Sequence, residues 1–226
     1  AYRVKDYDVA ERLTGEILEK YPQSTSALLL RGTIYANQKR YPAAIDEFEA
    51  AVKSDPENVE AYNNLAVVYR QIGDLEQAQE NAARALELSP GRGDIHYNLG
   101  NILKSAGKEK EAIAAYEDAI EADPELVLAY NNLGTLYERQ GDVDAAVRTF
   151  QDGLKHDPNH PTLRYNLGNC YQTQGDLTAA REQYETSLKT RPGWVDSLNN
   201  LGIVLDRLED RDRSIETFQE LLSIDP

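Results

Sequence analysis

Residues 59–92 read VEAYNNLAVVYRQIGDLEQAQENAARALELSPGR. From Val59 to Ile72 the apolar residues Tyr62, Leu65, Ala66, Tyr69 and Ile72 fall on one face of a helix, three or four positions apart. Gly73-Asp74 interrupts that pattern. A second helix is predicted from Leu75 to Leu88, with Ala78, Ala82, Ala85 and Leu86 on its apolar side. Ser89-Pro90-Gly91 ends it, because proline cannot continue a helix and glycine suits the turn that follows. Such a hairpin cannot bury its apolar face alone and has to stack on neighbours.

The neighbours are written in the same grammar. Pro22, Pro56, Pro90, Pro124, Pro158, Pro192 and Pro226 stand 34 residues apart from one end to the other. The eighth place of each unit holds Gly32, Ala66, Gly100, Gly134, Gly168 or Gly202, and the twentieth holds Ala44, Ala78, Ala112, Ala146, Ala180 or Ser214. Small residues there allow close approach of two helices. Large rings recur between them: Tyr35, Tyr69, Tyr137 and Tyr171 on first helices, and Phe48, Tyr116, Phe150, Tyr184 and Phe218 on second helices. Pro42 and Pro161 fall near helix starts, where a missing N–H costs little. The expected layout is a half unit over 1–24, holding a lone second helix from about Tyr7 to Tyr21. Six units follow at 25–58, 59–92, 93–126, 127–160, 161–194 and 195–226. Because the chain opens at Ala1 inside a unit, it reads as part of something longer.

Stretches such as Tyr62-Asn63-Asn64-Leu65-Ala66…Tyr69…Gly73…Ala78…Ala85…Pro90 and Tyr130-Asn131-Asn132-Leu133-Gly134…Tyr137…Gly141…Ala146…Phe150…Pro158 resemble the signature of tetratricopeptide-repeat (TPR) proteins. The resemblance covers essentially the whole chain. It implies an all-α fold, an α-solenoid wound as a right-handed superhelix, with first helices lining its concave side. Arg31 stands where the family favours Leu, Ala82 where it favours an aromatic, and Glu209, Ser214 and Leu221 make the last unit irregular. End units are where irregularity is expected in such arrays. With no polar helix after Pro226, some of Phe218, Leu221, Leu222 and Ile224 is expected to be exposed.

Asn64, Asn98, Asn132, Asn166 and Asn200 recur at the sixth place of successive first helices. Their neighbours at helical spacing, Asn101, Asn169, Tyr97 and Tyr165 among them, form the stripe opposite the apolar face. Asparagine is a poor helix former, so its repetition in mid-helix needs a reason. One reason is recognition: an amide offers donors and acceptors that pair with the main chain of a bound segment. The other is stacking, each asparagine bonding to the next unit. A comparable row in the TPR region of O-linked N-acetylglucosamine transferases holds substrate polypeptide, and that resemblance implies a groove along these helices. With first helices ~10 Å apart, five asparagines span about 40 Å, room for roughly 12 extended residues. Arg70, Lys104 and Arg139 near the ends of first helices complete the expected groove.

Charge narrows the partners. Lys and Arg total 24 against 39 Asp and Glu, a net charge of −15. That disfavours nucleic acid or anionic lipid held on a broad basic surface, and no apolar run approaches membrane-spanning length. On the groove stripe Glu60, Asp94, Glu138, Asp196 and Asp206 nearly balance Arg70, Lys104, Arg139 and Arg207. A carboxylate clamp for chaperone tails needs cations at the second, fifth and sixth places, which here hold Glu60, Asp94, Asn63, Tyr97 and the asparagines. Catalytic signals are thin. His156 and His160 flank Pro158 and cannot share a helix face, Cys170 occupies a core place, and His96 replaces a tyrosine in a packing place. The sequence therefore predicts a scaffold without catalysis, cofactor or metal, binding a protein or peptide segment. Two alternatives stay open: an assembly module whose ends stack weakly on copies of itself, and the substrate-recruiting arm of a larger enzyme.

Overall fold

The computed structural model describes residues 4–224, and among them run thirteen α-helices and no strand. The chain divides into two compact units, Ala1–Asp123 and Pro124–Pro226. The first unit holds α1 (Val4–Lys20), α2 (Thr25–Asn37), α3 (Tyr41–Ser54), α4 (Val59–Ile72), α5 (Leu75–Leu88), α6 (Gly93–Ser105) and α7 (Glu109–Ala122). The second holds α8 (Val127–Arg139), α9 (Val143–His156), α10 (Pro161–Gln174), α11 (Leu177–Thr190), α12 (Val195–Arg207) and α13 (Arg211–Ile224).

In each unit the helices pair as hairpins, α2 with α3, α4 with α5, α6 with α7, and likewise α8 with α9 through α12 with α13. Each second helix packs against the next first helix within its unit, as α3 does on α4 and α9 on α10. First helices also meet directly, α2 with α4, α4 with α6, and α8 with α10. The helices read from residues 59–92 have the predicted bounds. At the chain start α1 runs from Val4 to Lys20, earlier than the expected Tyr7 to Tyr21. Pro22 disfavours helical geometry at the residue before it, so Tyr21 lies outside.

Local chemistry sets the ends of these helices. Asp74, Asp142 and Asp176 each precede a second helix, and their carboxylates accept from the N–H groups of Gln77, Ala145 and Ala179 at 3.0–3.1 Å. The hairpin turn passes through a left-handed residue. Four repeats place Gly73, Gly107, Gly141 and Gly175 there, with φ of 73–86°, whereas the outer two place Lys39 at 60° and Glu209 at 63°. A side chain at that angle crowds the following carbonyl. Glu209→Gly is therefore expected to stabilise the fold by about 0.5–1 kcal/mol, the strain relief exceeding the added entropy of the unfolded chain. Urea denaturation reads this directly, and an unchanged or lower midpoint would contradict it.

The core is built by rings seated on glycines. A Cβ added at Gly32, Gly100, Gly134, Gly168 or Gly202 would lie 2.4–2.6 Å from the ring of Phe48, Tyr116, Phe150, Tyr184 or Phe218. The hairpin of α4 and α5 departs from this in both members at once, with Ala66 facing a cluster that contains Ala82 and Ile102. Arg31, at a place where Leu is usual, reaches Glu47 across its hairpin at 2.7 Å. At the last helix Phe218 and Leu221 are half-buried while Leu222 and Ile224 are exposed. On α1, Val9, Leu13 and Ile17 are exposed four residues apart. No helix of the described residues is long and apolar enough to cross a membrane.

Candidate functional site

The asparagines of the sixth place lie half-buried on the first helices, and most of them bond sideways to a neighbouring first helix. Asn98 on α6 donates through Nδ2 to Asn63 Oδ1 on α4 at 2.9 Å. Asn166 on α10 donates in the same way to Asn131 Oδ1 on α8 at 3.0 Å. Asn200 on α12 uses a different acceptor, Asn169 Oδ1 on α10 at 3.0 Å, with the Tyr165 hydroxyl at 3.4 Å. Asn132 is hydrogen-bonded or otherwise engaged as well. Asn64 makes no side-chain hydrogen bond among the described residues. Within each compact unit, stacking of successive repeats through these amides is thus a direct feature of the structure. Each bond engages one amide proton of Asn98 or Asn166 and leaves the second proton and the carbonyl oxygen of that side chain.

The acceptors of these bonds show an alternation that reading single helices missed. Fifth-place Asn63 and Asn131 accept from the following repeat, and Asn63 is buried at 7% exposure. In the next repeats the fifth place is Tyr97 or Tyr165, the ninth is Asn101 or Asn169, and the ring over the glycine is Tyr116 or Tyr184. Tyr116 donates to Asn101 Oδ1 at 2.8 Å, and its ring centre lies 6.0 Å from Tyr97. Tyr184 lies 2.8 Å from both Asn169 Oδ1 and Gln172 Oε1, its single proton serving one at a time, with Tyr165 again at 6.0 Å. The same constellation is therefore built once in each compact unit, two repeat periods apart. The signal was in the sequence, because Tyr-Asn-Leu-Gly-Asn occurs at 97–101 and 165–169 and Asn-Asn at 63–64, 131–132 and 199–200.

Charged residues flank this face. Arg70 and Lys104 sit half-buried near the ends of α4 and α6, Lys104 with its Nζ 6.0 Å from the centre of the Tyr116 ring. Arg139 is exposed at the end of α8 beside half-buried Glu138. At the opposite end of the face Arg92 bridges Asp94 and Glu60, its Nη2 at 2.7 and 3.0 Å. That contact holds the Asp94 carboxyl below its ordinary range. In the second unit Trp194 leans on Tyr165 with ring centres 4.6 Å apart, and Arg191 lies 4.5 Å from the Trp194 centre.

The residues weighed for catalysis have structural employment. Cys170 is fully buried among Phe150, Leu154, Leu163 and Leu167, and burial pushes its thiol up to about 12, far from a reactive thiolate. His160 caps α10, its Nδ1 accepting from the Leu163 N–H at 3.3 Å. His156 stacks on Tyr130 with ring centres 5.7 Å apart. His96 bonds through Nε2 to the carbonyl of Pro90 at 2.8 Å, which the packing reading of that place did not foresee. Tyr62 and Arg164, at the same place in other units, donate to the carbonyls of Pro56 and Pro158. In these three repeats the fourth place thus caps the turn carbonyl six residues earlier, a task that Tyr, His and Arg all perform.

Family models for the tetratricopeptide repeat match residues 131–193 and 171–226, residues 57–125, and residues 32–73. Among curated proteins, heat shock protein STI1 of Saccharomyces cerevisiae is 32% identical over 89 residues, covering 39% of this chain and 15% of its own length. Human tetratricopeptide repeat protein 36 is 38% identical over 87 residues, covering 37% of this chain and 46% of its own. The chain thus spans less than half the length of either relative. The solved structure of Pseudomonas aeruginosa pilF superposes with a TM-score of 0.78 at 21% identity, covering 89% of this chain and 92% of that one. PilW, a type IV pilus biogenesis factor, gives 0.74 at 23% identity over 88% and 92%. Both likenesses concern the fold alone. With models of one repeat matching from residue 32 to the chain end save a short gap, and ring-on-glycine hairpins stacked in both units, the chain belongs to the tetratricopeptide-repeat family.

Proposed function

We propose that the chain is a non-catalytic protein-interaction scaffold whose first-helix faces hold an extended or helical segment of a partner protein. One observation carries the reading: a row of half-buried amides stitched to one another, with donors and acceptors left over on the same side chains. Such amides are held in place before a ligand arrives, so little side-chain entropy is lost on binding. A main chain presents alternating N–H and C=O groups, and an amide pairs with both whatever side chains accompany them. Relatives support the class of partner. The similar Hsp70-Hsp90 organizing protein 3 of Arabidopsis thaliana is named for organizing two other proteins, and YrrB, similar in fold with a TM-score of 0.63, was solved as a TPR protein with an unusual peptide-binding site.

The test uses 12-residue peptides selected from a random library on the full chain. Replacing Asn64, Asn98, Asn132 and Asn166 together by Ala removes at least two ligand bonds wherever the segment lies, and weakens binding by ~1 kcal/mol per bond, about 30-fold in all. Helicity stays, while the unfolding midpoint drops with the lost Asn98–Asn63 and Asn166–Asn131 bonds. Unaltered affinity would remove the reading. A second reading is favoured by the exposed apolar residues of α1 (Val9, Leu13, Ile17) and α13 (Ile215, Leu222, Ile224), which suit weak end-to-end association of copies. In that case sedimentation at high salt reveals oligomers that Leu222→Lys abolishes.

A further inference from the structure

Two copies of one constellation invite comparison, since what they share does the common task and what differs sets them apart. Asn63, Asn64, Tyr97, Asn98, Asn101 and Tyr116 in the first unit match Asn131, Asn132, Tyr165, Asn166, Asn169 and Tyr184 in the second, residue for residue. The hydrogen bonds match too, at 2.9 and 3.0 Å between asparagines and 2.8 Å from each tyrosine. The twelfth place of the first helices does not match. Where the first unit has Arg70 and Lys104, the second has Glu138 and Gln172. Two cations have become one anion and one neutral amide, beside an otherwise conserved lattice.

Glu138 is also anomalous on its own terms. It is half-buried, and no hydrogen bond or ion pair holds its carboxylate among the described residues. Burial raises its carboxyl above the ordinary range, and its charge is felt by Cys170 and by Tyr184, whose hydroxyl belongs to the lattice. A partly desolvated carboxylate without a partner disfavours the folded state. A cation delivered by a ligand reverses that penalty, and charge-assisted bonds are the stronger kind.

We propose that the two faces, if they hold polypeptide as inferred above, select opposite charges: the second-unit face takes a Lys or Arg side chain of the bound segment at Glu138, and the first-unit face an Asp or Glu at Arg70 and Lys104. The shared amides read main chain and the twelfth place reads side chain. This separates affinity from specificity within one surface.

The experiment sequences random 12-residue peptides enriched on the full chain and on its variants. Wild type enriches two classes, one with Lys or Arg and one with Asp or Glu at a fixed position. Glu138→Gln lowers affinity for the basic class at least about ten-fold and leaves the acidic class unchanged, and Glu138→Lys converts the second site to acidic peptides. Glu138→Gln also raises the unfolding midpoint, which shows that the variant is folded and that the carboxylate was uncompensated. Enrichment of basic peptides that survives Glu138→Gln overturns this inference and leaves the groove reading standing. Failure to enrich any sequence overturns the groove reading and this inference with it.

Discussion

Gly134→Leu is expected to destabilise the chain by about 3 kcal/mol or more. Even a single added carbon would lie 2.4 Å from Phe150 Cε1, with Cζ at 2.7 Å and Cδ1 at 2.8 Å, well inside contact distance. Phe150 cannot retreat, because it is fully buried among Ala146, Leu154, Leu163 and Leu167. Leucine brings three further carbons into that space, so either the hairpin of α8 and α9 opens or the ring leaves its rotamer. The change acts against an intrinsic gain, since replacing glycine in a helix is worth up to ~1 kcal/mol. Gly15 isolates that gain: it lies within α1 and nothing stands within 4 Å of its added Cβ. Gly15→Leu is thus neutral or stabilising in the same urea titration. If the two variants unfolded alike, ring-on-glycine packing would not be what holds the hairpin.

Phe150→Ala is expected to lose about 3–5 kcal/mol, the cost of removing a fully buried ring whose cavity cannot collapse. The chain already contains the solution to that cavity, in the hairpin where Ala66 and Ala82 replace the glycine and the ring together. There Ile102 and the partly buried Tyr69 and Leu99 complete the cluster. The pair at 134 and 150 is therefore coupled. Gly134→Ala alone costs about 1–3 kcal/mol by overpacking. With Phe150→Ala the added methyl has no ring to meet, so the double variant loses less than the sum of the singles. A double-mutant cycle measures this, and strict additivity would contradict it.

The seven prolines and the small eighth and twentieth places disclosed the hairpins, because both helix bounds and close packing depend on residues a few positions apart. The left-handed turns at Lys39 and Glu209 were legible only by analogy with the glycines of the inner units. The direction of the asparagine bonds was not legible from one helix. Whether Asn98 turns to a ligand or to Asn63 depends on the separation of α4 and α6, which their packing sets. The alternation of Tyr-Asn and Asn-Asn was present in the letters but hidden under the stronger 34-residue period. The pairing of Arg31 with Glu47 was likewise hidden, since it joins two helices and only Arg31 departs from the pattern when read alone.

The central claim is that the amide row reads the main chain of a bound segment. The most direct measurement is calorimetric titration of one selected 12-residue peptide in two series, with alanine replacing each side chain and with an N-methyl group replacing each main-chain N–H. Main-chain reading predicts that alanine is tolerated at most positions. It also predicts that N-methylation at residues facing the asparagines weakens binding about ten-fold or more each, through the lost bond and the added bulk. Full affinity throughout the N-methyl series, with losses confined to the alanine series, would contradict it.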